Sequence, residues 1–258
     1  MLQTSAKIIS NRRIKKNYWH CVFYSPDISK SALAGQFISL KLTDNFEPFF
    51  RRPFSIHRVR EDKVEIFYEV LGPGTGILSN KKKGSALDII GPLGKGFSYK
   101  RNEPAILVAG GMGVAPLLFL AEKINEIANS KCKTKNLILI GARTKSGVLC
   151  EKEFKDLGFN VKIATDDGSA GFKGKVTELL GKVLREVIPG VIYSCGPKPM
   201  LKAASKISGD KNIPAQISLE EHMSCGFGAC LGCAVNTKDG FMRVCKDGPV
   251  FDSKQIVW

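Results

Sequence analysis

A chain of 258 residues with 43% apolar and 24% charged side chains is built like a folded protein of one large or two moderate domains, which excludes a disordered or low-complexity segment. Lys and Arg outnumber Asp and Glu by 39 to 24, and a net charge of +15 favours anionic partners such as dinucleotide phosphates or nucleic acid. The basic residues are scattered, and the densest groups (Arg12-Arg13 with Lys15-Lys16, and Lys81 to Lys83) are not interleaved with aromatics, so a solvated surface and no nucleic-acid partner are expected.

The first residues, MLQTSAKIISNRR, place no apolar stretch behind a basic end, and no export signal is expected. The longest uncharged stretch, Ala105 to Ala121, is broken by glycines and a proline and falls short of the roughly 20 apolar residues of a membrane span. The expected setting is the reducing cytoplasm, where structural disulfides are rare.

Residues 1–102 read as strands: YWHCVFYS, QFISLKL, RRPFSIHRV, KVEIFYEV and ALDIIG are short, rich in β-branched and aromatic residues, and separated by turn formers. KVEIFYEV alternates, which predicts one wet face and one dry face, and a small antiparallel barrel or sandwich is the natural solution. Within RRPFS, an arginine can meet phosphate as a fork and an aromatic ring can lie along a flat cofactor. A glycine turn, GPGTG, follows the strand EIFYEV.

At Pro104 the rhythm changes, and residues 103–220 alternate strand and helix. AILVAGG, NLILIGA, NVKIATDD, VIYSCG and AQISLEE read as five buried strands, with helices over APLLFLAEKINEIAN, from Glu151 to Leu157, and over KVTELLGKVLREV and KPMLKAASKIS. That pattern predicts a parallel sheet with right-handed crossovers. Gly111-x-Gly113-x-x-Pro116 resembles a dinucleotide fingerprint with proline in the third glycine's place, at the first strand-to-helix turn. Arg143 after the second strand is the residue type that accepts a 2′-phosphate, and Asp166-Asp167 after the third suits a free ribose hydroxyl.

Residues 221–258 show no periodicity and hold half of the eight cysteines, spaced C-x4-C-x2-C-x11-C at Cys225, Cys230, Cys233 and Cys245. Plant-type [2Fe–2S] sites use C-x4-C-x2-C and a distant fourth cysteine, with small residues between that let backbone N–H groups approach sulfur. A four-cysteine zinc site is the rival reading, although zinc sites of this kind show two C-x2-C knuckles and this chain shows one. A Rieske centre needs two histidines, and only His222 stands near. Cys21, Cys132 and Cys150 are expected to be small buried side chains, and His20, His57 and His222 to be structural.

Together these motifs resemble the ferredoxin–NADP reductase superfamily: Arg52-Pro53-Phe54-Ser55 its flavin motif, Gly72 to Thr75 its second flavin-phosphate turn, and GGMG and YSCGPKPM its nicotinamide motifs. The tail, EEHMSCGFGACLGCAV with RVCKDGPVFD, resembles the electron transfer subunits of dihydroorotate dehydrogenase B. The resemblance implies a β + α/β fold: an antiparallel flavin-binding barrel, a parallel nucleotide-binding α/β domain and a small C-terminal cluster subdomain. It implies FAD, one [2Fe–2S] cluster and NAD, together with an FMN-containing catalytic partner in a heterotetramer serving pyrimidine synthesis. On that reading Arg52 binds FAD phosphate, Phe54 and Ser55 lie at the flavin, and Phe67, Tyr68 and Glu69 contact FAD. Gly74 and Thr75 hold the pyrophosphate, the four tail cysteines ligate the cluster, and Gly111, Gly113 and Cys195 line the nicotinamide site, with a packed strand-end thiol the other reading of Cys195. Electrons would pass singly from the partner's FMN through the cluster to FAD, and leave as hydride to NAD. Phe54 departs from the superfamily's tyrosine, which leaves ring stacking without a hydroxyl contact, and no orotate-binding motif is present. Two alternatives stand beside this: a subunit serving ferredoxin, sulfide or hydrogenase assemblies, and a zinc-stapled nucleic-acid-binding module.

Overall fold

The structure, a computed structural model, describes residues 1–43, 47–128 and 136–258. Seven strands make the first sheet: β1 (Leu2–Lys15), β2 (Tyr18–Tyr24), β3 (Phe37–Lys41), β4 (Arg52–Ser55), β5 (Arg58–Arg60), β6 (Lys63–Glu69) and β7 (Ala86–Leu93), in the antiparallel order β4-β3-β7-β1-β2-β6-β5. A short helix, α1 (Pro26–Ser31), follows β2, and α2 (Pro73–Asn80) follows β6. The sheet curls until Phe54 on β4 meets Tyr68 on β6 edge to face at 5.8 Å, without a β4–β6 ladder; it is an open half-barrel.

Three details differ from the sequence reading. β1, the longest strand, escapes it, because only Ala6 and Ile8 of its 14 residues are buried and two register shifts break its alternation. RRPFSIHRV is two strands, β4 and β5, not one. β6 is covered on both faces rather than one: its centre, from Val64 to Tyr68, is buried because α3 (Val114–Ile127) packs against the face that would otherwise be wet.

The second sheet contains the five expected strands, β8 (Ala105–Gly110), β9 (Leu137–Ala142), β10 (Asn160–Thr165), β12 (Val191–Cys195) and β13 (Ala215–Ser218), all parallel. Two more join: the two-residue β11 (Phe172–Lys173), and β16 (Val250–Asp252), which returns from the cysteine-bearing tail and pairs antiparallel with β13. Helices α4 (Glu151–Asp156), α5 (Val176–Val183) and α6 (Lys198–Asp210) complete the crossovers. The order β11-β10-β9-β8-β12-β13-β16 turns back between β8 and β12, and ligands of such sheets bind beyond the strand ends at that point.

One apolar core runs unbroken from the half-barrel (Phe23, Ile66) into α3 (Leu118, Phe119), so the two sheets are joined by buried side chains. His57 Nδ1 meets the Ala115 carbonyl at 3.0 Å and Arg58 Nε meets Glu122 Oε1 at 2.6 Å across the same seam. The tail has a core of its own making: Cys233, Val244, Cys245 and Phe251 pack with Ile217 and Leu219 of the parallel sheet and Phe37 and Leu93 of the half-barrel. Its hairpin, β14 (Ala234–Thr237) with β15 (Gly240–Arg243), stands apart as a two-stranded sheet.

Candidate cofactor cleft and cysteine loop

A cleft of about 680 Å³ opens where the half-barrel, the β8/β12 strand ends and the start of the tail converge. Pro53, Phe54 and Ser55 from β4 and Phe67, Tyr68 and Glu69 from β6 wall one side, which brings together six of the predicted site residues. Met112, Ala115, Gly196 and Pro197 wall the opposite side, and Ser218 to Met223 close the end. The volume and the mainly apolar wall with a few polar groups suit a small-molecule or cofactor site.

The wall ends at Leu71, and there α2 begins. The predicted glycine turn is the first turn of this helix, because Gly72 is extended and Pro73 occupies the first helical position. The Thr75 hydroxyl is spent on the turn itself: it accepts from the N–H groups of Leu71 (3.0 Å) and Gly72 (3.2 Å) and donates to the Gly72 carbonyl (3.1 Å). The backbone N–H groups of Gly74 and Thr75 are the ones a helix leaves without internal acceptors. Arg52 lies beside this turn: a methyl on Gly74 would stand 3.1 Å from Arg52 Nε, and Arg52 Nη1 donates to the Phe50 carbonyl at 2.7 Å. A guanidinium beside a helix N-terminus suits a phosphate group.

The two predicted glycines of the β8–α3 turn have separate causes. Gly111 has φ +54° with open space where a side chain would go, so its demand is conformational. Gly113 has no room at all: a Cβ would stand 2.0 Å from the Cys195 carbonyl oxygen. The turns after β8 and β12 therefore touch backbone to backbone, and Met112, between the two glycines, faces the cleft.

Cys195 is 1% exposed, and Gly196 after it, not Cys195, lines the cleft. Burial pushes its thiol well above the ordinary range, which favours the packed-thiol reading over a reactive one. Among the cleft residues that the sequence did not single out individually are Lys198, Glu220, Glu221 and Met223. His222, expected to be structural, is also on the wall. Glu220 opens to the cleft while protein surrounds it, and desolvation pushes its carboxyl up. Lys198 Nζ meets Glu221 Oε1 at 2.5 Å across the mouth. Position just beyond the C-terminal ends of parallel strands, β12 for Lys198 and β13 for Glu220 to Met223, was the available signal for these residues. His20 and His57 are structural: His20 pairs with Glu65 at 2.7 Å, and burial lowers His57 to about 3. Cys21 is fully buried, Cys150, at the N-cap of α4 with φ +57°, is half-buried, and Cys132 lies outside the described residues. The two coenzyme discriminators also differ, for Arg143 is exposed while Asp166 is paired with Lys175 at 3.0 Å.

The four tail cysteines come together as two pairs, Cys225 with Cys230 and Cys233 with Cys245, and no described cysteine is in a disulfide. Partial burial alone would raise the Cys225 thiol, but N–H donors from Cys230, Phe227 and Ala229 outweigh it and bring the thiol down to about 6. Burial first, and then Cys233, pushes Cys245 up to about 12. The N–H groups of Ala229 and Cys245 reach the sulfurs of Cys225 (3.3 Å) and Cys233 (3.4 Å). Among the described residues no three His, Cys, Asp or Glu side chains converge on one ion position. Two thiolate pairs fed by backbone N–H groups fit the two ends of a two-iron cluster better than the single tetrahedron of zinc.

Residues 220–257 match the iron–sulfur cluster binding domain of dihydroorotate dehydrogenase B, and residues 107–206 match the oxidoreductase NAD-binding domain. The chain is 40% identical over 98% of its length to the electron transfer subunit of dihydroorotate dehydrogenase B (NAD(+)) from Desulforamulus reducens, covering 97% of that protein. It is also 40% identical to the one from Caldanaerobacter subterraneus, each chain being covered to 98%. Among solved structures, an NADH-dependent reduced ferredoxin–NADP oxidoreductase superposes with a TM-score of 0.85 at 29% identity, covering 98% of this chain and 90% of that one. The ferredoxin NADP+ reductase of Neisseria gonorrhoeae with bound FAD and NADP shares the fold, with a TM-score of 0.64 at 19% identity over 81% of this chain and 91% of that one.

Proposed function

From the premise that this chain belongs to the family of dihydroorotate dehydrogenase B electron transfer subunits, we propose that it links an FMN-containing, dihydroorotate-oxidising subunit to NAD in pyrimidine synthesis, through FAD in the cleft and a [2Fe–2S] cluster in the tail. When bound, the cluster handles electrons singly, the nicotinamide takes them in pairs as hydride, and the flavin can do either, so the set converts one kind of traffic to the other.

The chain's own residues bind and orient these groups. Arg52 and the N–H groups of Gly74 and Thr75 bind the flavin pyrophosphate. Phe54, Phe67 and Tyr68 offer flat apolar walls to the ring system, and Ser55 and Glu69 offer polar atoms. The Gly111–Gly113 turn and the Gly196 turn, which meet at the opposite wall, would hold the nicotinamide. Cys225, Cys230, Cys233 and Cys245 hold the cluster.

The observation that carries this reading is continuity: Met223 lines the cleft, and Cys225 follows two residues later. A flavin in the cleft and a cluster on the loop are thereby neighbours through one short piece of chain. The exposed Cys230 is flanked in the loop by Phe227 (43% exposed) and Leu231 (62%), and the hairpin of the same tail exposes Phe241 (82%), apolar side chains suited to a protein partner. The partner is the catalytic subunit, in a complex with two copies of each chain. No helix of the described residues is long and apolar enough to cross a membrane, and a cytoplasmic setting accords with the four free tail thiols.

The test is direct. Anaerobically purified protein is counted for flavin, iron and labile sulfide, then mixed with the FMN subunit and assayed for dihydroorotate-dependent NAD reduction. One FAD, two irons, two sulfides and turnover by the pair are expected. A colourless protein with stoichiometric zinc would refute the reading. A second reading rests on the likeness to the ferredoxin–NADP oxidoreductase: a loaded chain that ignores dihydroorotate but reduces ferredoxin would move it to that kind of assembly.

A further inference from the structure

Resting on the cluster reading above, we infer that Arg243 is the positioning residue of the cysteine loop: it ties the turn bearing Cys245 to the loop bearing Cys225 and Cys230, and it fixes a positive charge beside the thiolates. The spacing creates the need. Eleven residues separate Cys233 from Cys245 and run out through the β14–β15 hairpin, so the fourth thiol must be brought back to the other three. Backbone bonds register it on Cys233, from Val244 N to the Cys233 carbonyl (3.1 Å) and from Cys245 N to the Cys233 sulfur (3.4 Å). These do not reach the first half of the loop.

The Arg243 side chain does. Its Nη1 donates to the Gly228 carbonyl at 3.1 Å, midway between Cys225 and Cys230. Gly228 has φ +93°, and a Cβ there would stand 2.7 Å from the Lys246 side chain, so the residue is held from both sides. Asp247 aims the guanidinium: its Oδ2 accepts from Arg243 Nε at 3.0 Å and from the Arg243 backbone N–H at 2.9 Å, and its Oδ1 accepts from Nη2 at 3.4 Å. Arg243 side-chain exposure is 29% and that of Asp247 is 24%, a partly shielded fork rather than a free surface pair. The charges carried by this turn are Arg243 and Lys246, positive, and Asp247, negative, and Arg243 is the one coupled to Cys233 and Cys245.

Positioning and charge separate by substitution. A fixed cation favours the more negative, reduced form of a cluster, so its removal lowers the potential. Arg243→Gln, in the full-length loaded protein, should shift the reduction equilibrium roughly tenfold, about 59 mV for one electron, towards the oxidised form, and speed chelator-driven iron loss about tenfold. Arg243→Lys keeps the charge without the fork, and should restore the potential while iron loss stays fast. Asp247→Asn removes the aiming carboxylate, and should raise the potential while also speeding iron loss. Redox titration followed by electron paramagnetic resonance, with timed iron release, reads both effects without turnover. Wild-type and Arg243→Gln proteins with the same potential, line shape and iron-loss rate would overturn the inference. Equal potential shifts from the Gln and Lys variants would overturn its charge component. Wild-type protein without iron and sulfide would instead sink the cluster reading beneath it.

Discussion

The cleft is walled by strands whose centres are almost fully buried, β6 and the ends of β8 and β12, whereas the cysteine loop at 225–233 is mostly exposed and is held by hydrogen bonds to sulfur and by one guanidinium. A cleft made by core packing has its shape before any ligand arrives, because strands of this kind open only with global unfolding. A loop with little apolar burial takes much of its stability from what its thiolates grip. The cleft should therefore tolerate an empty loop better than the loop tolerates loss of one cysteine.

Breaking the loop gives the largest expected effect. Cys233→Ser should abolish iron and sulfide binding while flavin stays near one per chain; simultaneous loss of flavin would show that the two regions are not separable. Gly113→Ala attacks the cleft instead, placing a methyl 2.0 Å from the Cys195 carbonyl oxygen. It should destabilise by about 3 kcal/mol, against about 1 kcal/mol for Gly111→Ala, where only the backbone angle is strained; denaturant unfolding of both would rank them. Arg52→Gln should weaken flavin binding roughly ten- to hundredfold with iron content unchanged, as equilibrium titration of the apo-protein with FAD would show.

The smallest effect sharpens the comparison through pH. His57, buried in the seam beneath the cleft, is lowered from an ordinary 6.5 to about 3 by desolvation, so the unfolded chain takes up a proton that the folded chain refuses. Its contribution is present above about pH 6.5 and is lost as pH falls towards 3, the loss amounting to roughly 2 kcal/mol at pH 5. His57→Gln should flatten that slope in urea midpoints measured between pH 7 and pH 5. An unchanged slope would place the acid sensitivity elsewhere.

Periodicity and spacing carried most of the parallel sheet into view, because continuous apolar runs such as AILVAGG belong to strands buried on both faces. β1 stayed hidden because a strand with two buried residues carries almost no alternation. The wet face assigned to β6 was wrong for a tertiary reason: its exposed side depends on α3, about fifty residues further along. In the site, RRPFS and the glycine turns were legible as local chemistry, but the crowding at Gly110 and Gly196 was not. It exists only because the turns after β8 and β12 meet in space. Lys198 and Glu221 become a pair across the cleft mouth for the same reason.

The strand β16 gives the tail a neck. The chain leaves the parallel sheet at Ser218 and returns at Val250, and these two residues are ladder partners, with Leu219 N bonded to the Pro249 carbonyl at 2.9 Å. The thirty-odd residues between them form a lasso tied off at its base, and Ser218, Leu219 and Pro249 at the knot also line the cleft. A displacement of that neck would move residues of the cleft floor, because the ladder bonds of β13 with β16 join the two.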